Sequence, residues 1–150
     1  MKSPAVRAWL LDTHALLWTL YADRRLSTTA KRYIDGELPV YYSTVSFWEI
    51  SLKRGGKGFD FEIEDDRDIV VPRALDEAGI VRLDLEATDC RRMEDLPFHH
   101  RDPFDRMLAA QALQRRFGIV SRDTCFDDTG WAAVCSRRSP TSGRPWNPRW

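Results

Sequence analysis

The chain has 150 residues, enough for one domain with a core, and its 43% hydrophobic content is that of a globular protein. Lysine plus arginine balances aspartate plus glutamate at 23 each; the zero net charge argues against nucleic-acid binding by bulk charge and leaves only local basic patches. The scattered cysteines Cys90, Cys125 and Cys135 lack a C-x-x-C spacing, which speaks against a disulfide framework or zinc site and fits a reducing cytoplasm.

Lys2 and Arg7 precede an apolar run, as in a signal peptide, but Asp12 and His14 interrupt it, so a signal is rejected. No stretch is long enough to span a membrane. Ala8 to Leu11 reads as a short buried strand that stops at Asp12. Thr13 is the expected cap of a helix running to about Ala22, with Leu16 and Leu20 inward. Ser27-Thr28-Thr29 opens a second helix toward Asp35, and Gly36 ends it. Val40-Tyr41-Tyr42 is a strand after Pro39.

Ser43 or Thr44 starts a third helix. Val45, Trp48 and Leu52 form its apolar row; Ser46, Glu49 and Lys53 form its polar row. Gly55, Gly56 and Gly58 break it, and the acidic run from Asp60 to Asp68 reads as an exposed loop. A helix between Asp68 and Ala78 carries Pro72 and ends at Gly79; Ile80 to Leu83 is a strand. Glu86 to Arg92 is a short helix.

The longest helix follows. Asp102 is a good N-cap and Pro103 fits the first helical position. Phe104, Leu108 and Ala112 form one apolar row and Ala109, Leu113 and Phe117 the next, with Gly118 as the expected C′ residue. Ile119-Val120-Ser121 is a buried strand, and Trp131 to Cys135 a last edge strand. Strands alternating with helices imply an α/β fold, a parallel sheet with helices on both faces. Residues 1–135 form the domain; residues 136–150 hold four arginines, three prolines and no acid, and read as a flexible basic tail.

Four acids occupy comparable places. Asp12 and Asp123 end strands, Glu49 lies on the polar row of the third helix, and Asp105 sits in the first turn of the longest helix. In an open parallel sheet the ligand crevice lies at the carboxyl ends of the strands, at the topological switch point. Carboxylates gathered there repel one another, and a divalent cation relieves them; all-oxygen ligands suit Mg²⁺ or Mn²⁺. Such ions serve phosphodiester hydrolysis by activating a water and stabilising the leaving oxygen. Each acid also has a plain structural reading. Glu49 with Lys53 is a routine i, i+4 pair, Asp105 is a first-turn acid, and Asp12 and Asp123 are strand-end turn residues.

Taken together, the blocks Leu11-Asp12-Thr13-His14-Ala15-Leu16-Leu17-Trp18, Ser46-Phe47-Trp48-Glu49-Ile50, Leu96 to Arg106 and Ser121-Arg122-Asp123 resemble the PIN-domain ribonucleases. More narrowly, they resemble the VapC-type toxins of bacterial toxin–antitoxin modules, in the family's order from about Trp9 to Cys135. The resemblance implies a three-layer α/β/α domain with a central parallel sheet and a Mg²⁺- or Mn²⁺-dependent endoribonuclease. It places the catalytic, metal-binding quartet on Asp12, Glu49, Asp105 and Asp123, with Thr13 and Ser121 as accompanying hydroxyls. It further implies a homodimer, an RNA substrate and an antitoxin partner that covers the acidic cleft.

Other signals have two sides. Gly56-Lys57-Gly58 lacks the residues of a P-loop. Lys53, Arg54 and Lys57 are either solvated surface or contacts for RNA phosphates near Glu49. His14 is placed near the cleft for substrate contact, while His99 and His100 read as loop or capping residues. Two other function classes stand beside the nuclease. One is a catalytically silent RNA- or protein-binding module with the same fold. The other is an aspartate-nucleophile phosphatase built on Asp12, which wants a second acid where His14 stands.

Overall fold

The computed structural model describes residues 5–54, 62–96 and 102–121, together with the backbone of 133–135. The elements follow one another as β1 (Trp9–Leu11), α1 (Thr13–Leu20), α2 (Thr28–Ile34), β2 (Val40–Ser43), α3 (Thr44–Arg54), α4 (Arg67–Glu77), β3 (Val81–Leu83), α5 (Ala87–Glu94), α6 (Pro103–Arg115), β4 (Gly118–Ser121) and β5 (Ala133–Cys135). The strands form one five-stranded sheet in the order β3-β2-β1-β4-β5, and every pairing is parallel. Chain order therefore reverses at β1, which lies between β2 and β4.

Alternation along β1 divides the core in two. Trp9 and Leu11 pack with Leu16, Leu17, Val71 and Leu75 on one face; Leu10 packs with Leu108, Ala112 and Ile119 on the other. A strand buried on both faces needs helices on both, and α1, α2 and α4 supply one layer while α6 supplies the other. This is the α/β/α arrangement expected from the sequence. The strands match the sequence reading closely, including the last one at the sheet edge.

The long helix begins as expected. Asp102 Oδ1 accepts from Phe104 N at 2.8 Å and from Asp105 N at 3.4 Å, and Pro103 occupies the first helical turn. Gly79, at φ +74°, takes the left-handed turn after α4. The other end of the long helix departs from expectation. The left-handed residue is Arg116, at φ 59°, and Gly118 is already in β4. Phe117 N reaches back to Ala112 O at 2.9 Å, and the Phe117 ring stacks on Tyr41 at 4.7 Å. Seating that ring beside the sheet goes with a turn two residues earlier, at a cost of about 1–2 kcal/mol for a non-glycine in this conformation.

Two further corrections bear on the site. The cap of α1 is Asp12 rather than Thr13: Asp12 Oδ1 accepts from Ala15 N at 2.7 Å, and Thr13 is the first helical residue. On α3 the expected orientation is largely reversed. Val45 is buried, but Trp48 and Leu52 are 56% and 57% exposed, whereas Ser46 and Glu49 of the polar row are buried. The polar row meets the Thr13 hydroxyl on the inner side, and Trp48 keeps partial cover by packing edge-on against Phe104 at 5.0 Å. Gly55, Gly56, Lys57, Gly58, His99, His100, Asp123 and the tail 136–150 lie outside the described residues.

Another buried acid, Asp89, braces the α5–α6 side of the sheet. Asp89 is wholly buried, accepts from Glu86 N at 2.9 Å and from Arg115 Nη1 at 2.6 Å, and so ties α5 to α6. Gln111, also buried, links this group to Ser43 at 2.5 Å and to Asp84 O at 3.3 Å. Replacing Asp89 with Ala strands the Glu86 N–H and takes the main partner from Arg115. A loss of about 2–4 kcal/mol is expected in urea unfolding. Asp102→Ala, which removes only a cap, is expected to cost about 0.5–2 kcal/mol in the same measurement.

Candidate metal-dependent active site

Asp12 follows β1 directly, and Ser121 is the last residue of β4, so adjacent parallel strands bring them to one edge. Ser121 Oγ donates to Asp12 Oδ2 at 2.6 Å across 109 residues of sequence. With Oδ1 held by Ala15 N, both oxygens of this buried carboxylate have fixed directions. The carboxylate also sits at the positive end of the α1 dipole, which favours its charge.

Thr13 carries the site across to α3. Its hydroxyl donates to Glu49 Oε2 and lies 3.0 Å from Ser46 Oγ. Glu49 is only 3% exposed, and its other oxygen, Oε1, accepts from Lys53 one turn further along α3. The Lys53 ammonium is also 3.8 Å from Asp102 Oδ2, which brings the start of α6 to the same place. Burial alone would push the Lys53 pKa down. The hydrogen bond to Glu49 and then the charges of Glu49, Asp102 and Asp105 outweigh burial and hold it above the ordinary lysine value. Asp105 lies in the first turn of α6, half-buried.

The residues singled out from the sequence therefore divide. Asp12, Thr13, Glu49 and Ser121 are joined by hydrogen bonds or direct chain neighbours at the carboxyl edge of the sheet, at the switch point between β1 and β4. Lys53 and Asp105 adjoin them from α3 and α6. His14, next to Thr13, packs its ring near Trp18 at 5.9 Å. Asp123, two residues past Ser121, lies outside the described residues. Ser46 was not singled out as a site residue, although it lies three residues before Glu49 on the same helical row and so shares its face. Asp102, read as a cap alone, both caps α6 and faces Lys53.

Among the described residues, no three carboxylate, imidazole or thiolate groups stand close enough together to hold a metal ion. The donors at this edge are carboxylate and hydroxyl oxygens, and their chemistry suits a hard cation such as Mg²⁺ or Mn²⁺ rather than zinc. In donor chemistry, though not in number among the described residues, this oxygen set fits such an ion.

Comparison with known proteins bears on the fold. No curated protein matches the sequence. Solved structures share the fold, among them two toxin–antitoxin complexes. VapBC2 from Rickettsia felis, bound to a DNA fragment from its promoter, superposes with a TM-score of 0.56 at 11% identity, over 87% of this chain and 98% of that one. FitAcB from Neisseria gonorrhoeae superposes with a TM-score of 0.53 at 16% identity, over 85% of this chain and 96% of that one. The model of the PIN domain matches residues 9–132, a span that runs from β1 past β4 and takes in every acid of the expected quartet, and the chain belongs to the PIN-domain family.

Proposed function

We propose that this protein is a divalent-metal-dependent endoribonuclease, the toxin of a toxin–antitoxin pair, working through Asp12, Glu49, Asp105 and Asp123. One observation carries this reading. Asp12 and Glu49, far apart in sequence, are both buried at the carboxyl edge of the sheet and are linked through Thr13, with Ser121 fixing the first of them. Burying two carboxylates at one edge is unfavourable for a fold that has no use for their charge. The VapC-type motifs and the fold shared with VapBC2 support the toxin reading.

In this reading Asp12, Glu49, Asp105 and Asp123 hold Mg²⁺ or Mn²⁺. A divalent cation supplies positive charge to the scissile phosphodiester and acidity to a nearby water. The chain's own part is positional. Ser121 and Ala15 N orient the Asp12 carboxylate, and Thr13 orients that of Glu49. In the same reading His14 and Lys53, with Thr13 and Ser121, contact the RNA. A homodimer and a cognate antitoxin complete the assembly in the cytoplasm; no helix among the described residues is long and apolar enough to cross a membrane.

Cleavage of RNA with Mg²⁺ or Mn²⁺, measured with and without a chelator, tests the reading. Asp12→Asn keeps an N-cap and Asp105→Asn keeps local shape, so both variants are expected to fold. Removal of the first-turn charge at Asp105 costs only ~0.3–1 kcal/mol of helix stability. Each is expected to lose metal-dependent cleavage. Full activity in either variant, or full activity of the parent in chelator, would overturn the assignment.

The partner gives a second expectation. An acidic cleft is inhibited by a segment that carries a cation into it, and the planar fork of Arg pairs bidentately with a carboxylate. Antitoxin affinity is therefore expected to fall as divalent ion concentration rises, and Asp12→Asn to weaken antitoxin binding. Calorimetric titrations of the antitoxin at several Mg²⁺ concentrations check both; an affinity indifferent to Mg²⁺ would remove the competing cation from the account.

A further inference from the structure

Lys53 faces acids on two helices. It donates to Glu49 Oε1, lies 3.8 Å from Asp102 Oδ2 and is acted on by the charge of Asp105. Its side chain is 28% exposed, while that of Glu49 is 3% exposed. An ionised carboxylate taken this far from water needs a compensating charge. Here the compensation comes from the same helix, one turn along, at the end where the helix dipole also favours a cation.

That arrangement has a consequence for a second cation. A divalent ion at Glu49 would compete for the oxygen that Lys53 already occupies, and two positive charges at contact distance repel strongly where water is scarce. The ammonium sits on a flexible four-carbon stem that reaches solvent, so it has a way out. Glu49, held by Thr13 through its other oxygen, does not need to move when Lys53 departs.

We infer that Lys53 is a resident counter-cation of the acidic cluster, which keeps Glu49 neutralised in the metal-free protein and must leave Glu49 Oε1 when a divalent ion binds. Lys53 in this way sets how tightly the site takes its metal. The inference rests on the metal-dependent reading above and deepens it. It differs from a phosphate-contacting role for Lys53 in one respect: its effect is present with the metal alone, before any RNA is added.

The test titrates Mn²⁺ alone into the full chain by calorimetry, in the parent, Lys53→Met, Lys53→Arg and Asp12→Asn. Far-ultraviolet circular dichroism and melting without metal accompany each titration. Lys53→Met is expected to bind Mn²⁺ about tenfold more tightly than the parent. It is also expected to melt lower without metal and to gain more on adding Mn²⁺. Lys53→Arg, which keeps the charge, is expected to stay near the parent. If the Met variant does not fold, Lys53→Gln, which keeps a donor for Glu49, makes the same comparison. Binding by the Met variant but not by the parent also supports the inference. If the parent binds Mn²⁺, Asp12→Asn does not, and the neutral variant binds no more tightly than the parent, Lys53 is not the competitor and the metal site stands. If neither the parent nor the neutral variant binds, or if Asp12→Asn binds as well as the parent, the metal reading itself falls and the role of Lys53 falls with it.

Discussion

Removing a carboxylate from water is among the most costly acts in folding, and this protein does it at Asp12 and again at Glu49. Much of the local structure follows from making that tolerable. The first turn of α1 opens toward Asp12, so that a backbone N–H and the helix dipole meet the charge. β4 ends at Ser121, whose hydroxyl meets the other oxygen. The polar row of α3 faces inward at the expense of Trp48 and Leu52, so that Glu49 can take both the Thr13 hydroxyl and the Lys53 ammonium. The same face carries Val45 and Ile50 into the core, so the helix buries apolar and polar groups together.

Asp89 makes an instructive contrast. It too is buried and ionisable, but Arg115, Gln111 and the Glu86 N–H surround it with donors, and it sits between two helices. Such a group is part of the brace that holds α5 against α6. Asp12 and Glu49 each accept from one hydroxyl, with the Ala15 N–H on the first and the Lys53 ammonium on the second, at the edge where a parallel sheet leaves its crevice. Two kinds of buried acid thus coexist in one small domain, and their partners distinguish them better than their burial does.

The features legible in the sequence are those written locally. Asp102-Pro103 announces the start of α6, Gly79 the end of α4, and the short apolar runs the strands of a parallel sheet. The positions of Asp12 and Asp105 follow from the same local signals, since one ends a strand and the other starts a helix. What stayed hidden depends on partners far away in sequence. The inward face of α3 is decided by Thr13, 36 residues before Glu49, and against the row that is more apolar. Asp89 looks like any acid in a short helix until Arg115, 26 residues on, is folded against it. The turn at Arg116 rather than Gly118 is set by where Phe117 must stack, which no local preference for glycine reveals.

The bond between Ser121 and Asp12 joins residues 109 positions apart, and β1 is flanked in the sheet by β2 on one side and by β4 on the other. β1 meets β2 early in this sequence but waits for β4, its neighbour on the other side, until α6 has been added. Contacts of such long sequence separation form late and fold slowly. A chain interrupted before β4 still sets β2 beside β1 and Thr13 beside Glu49, but it has no Ser121 hydroxyl to orient the Asp12 carboxylate. The order of the strands thus works as a safeguard in time: an unfinished copy holds two of its acids but lacks the strand that fixes the first of them.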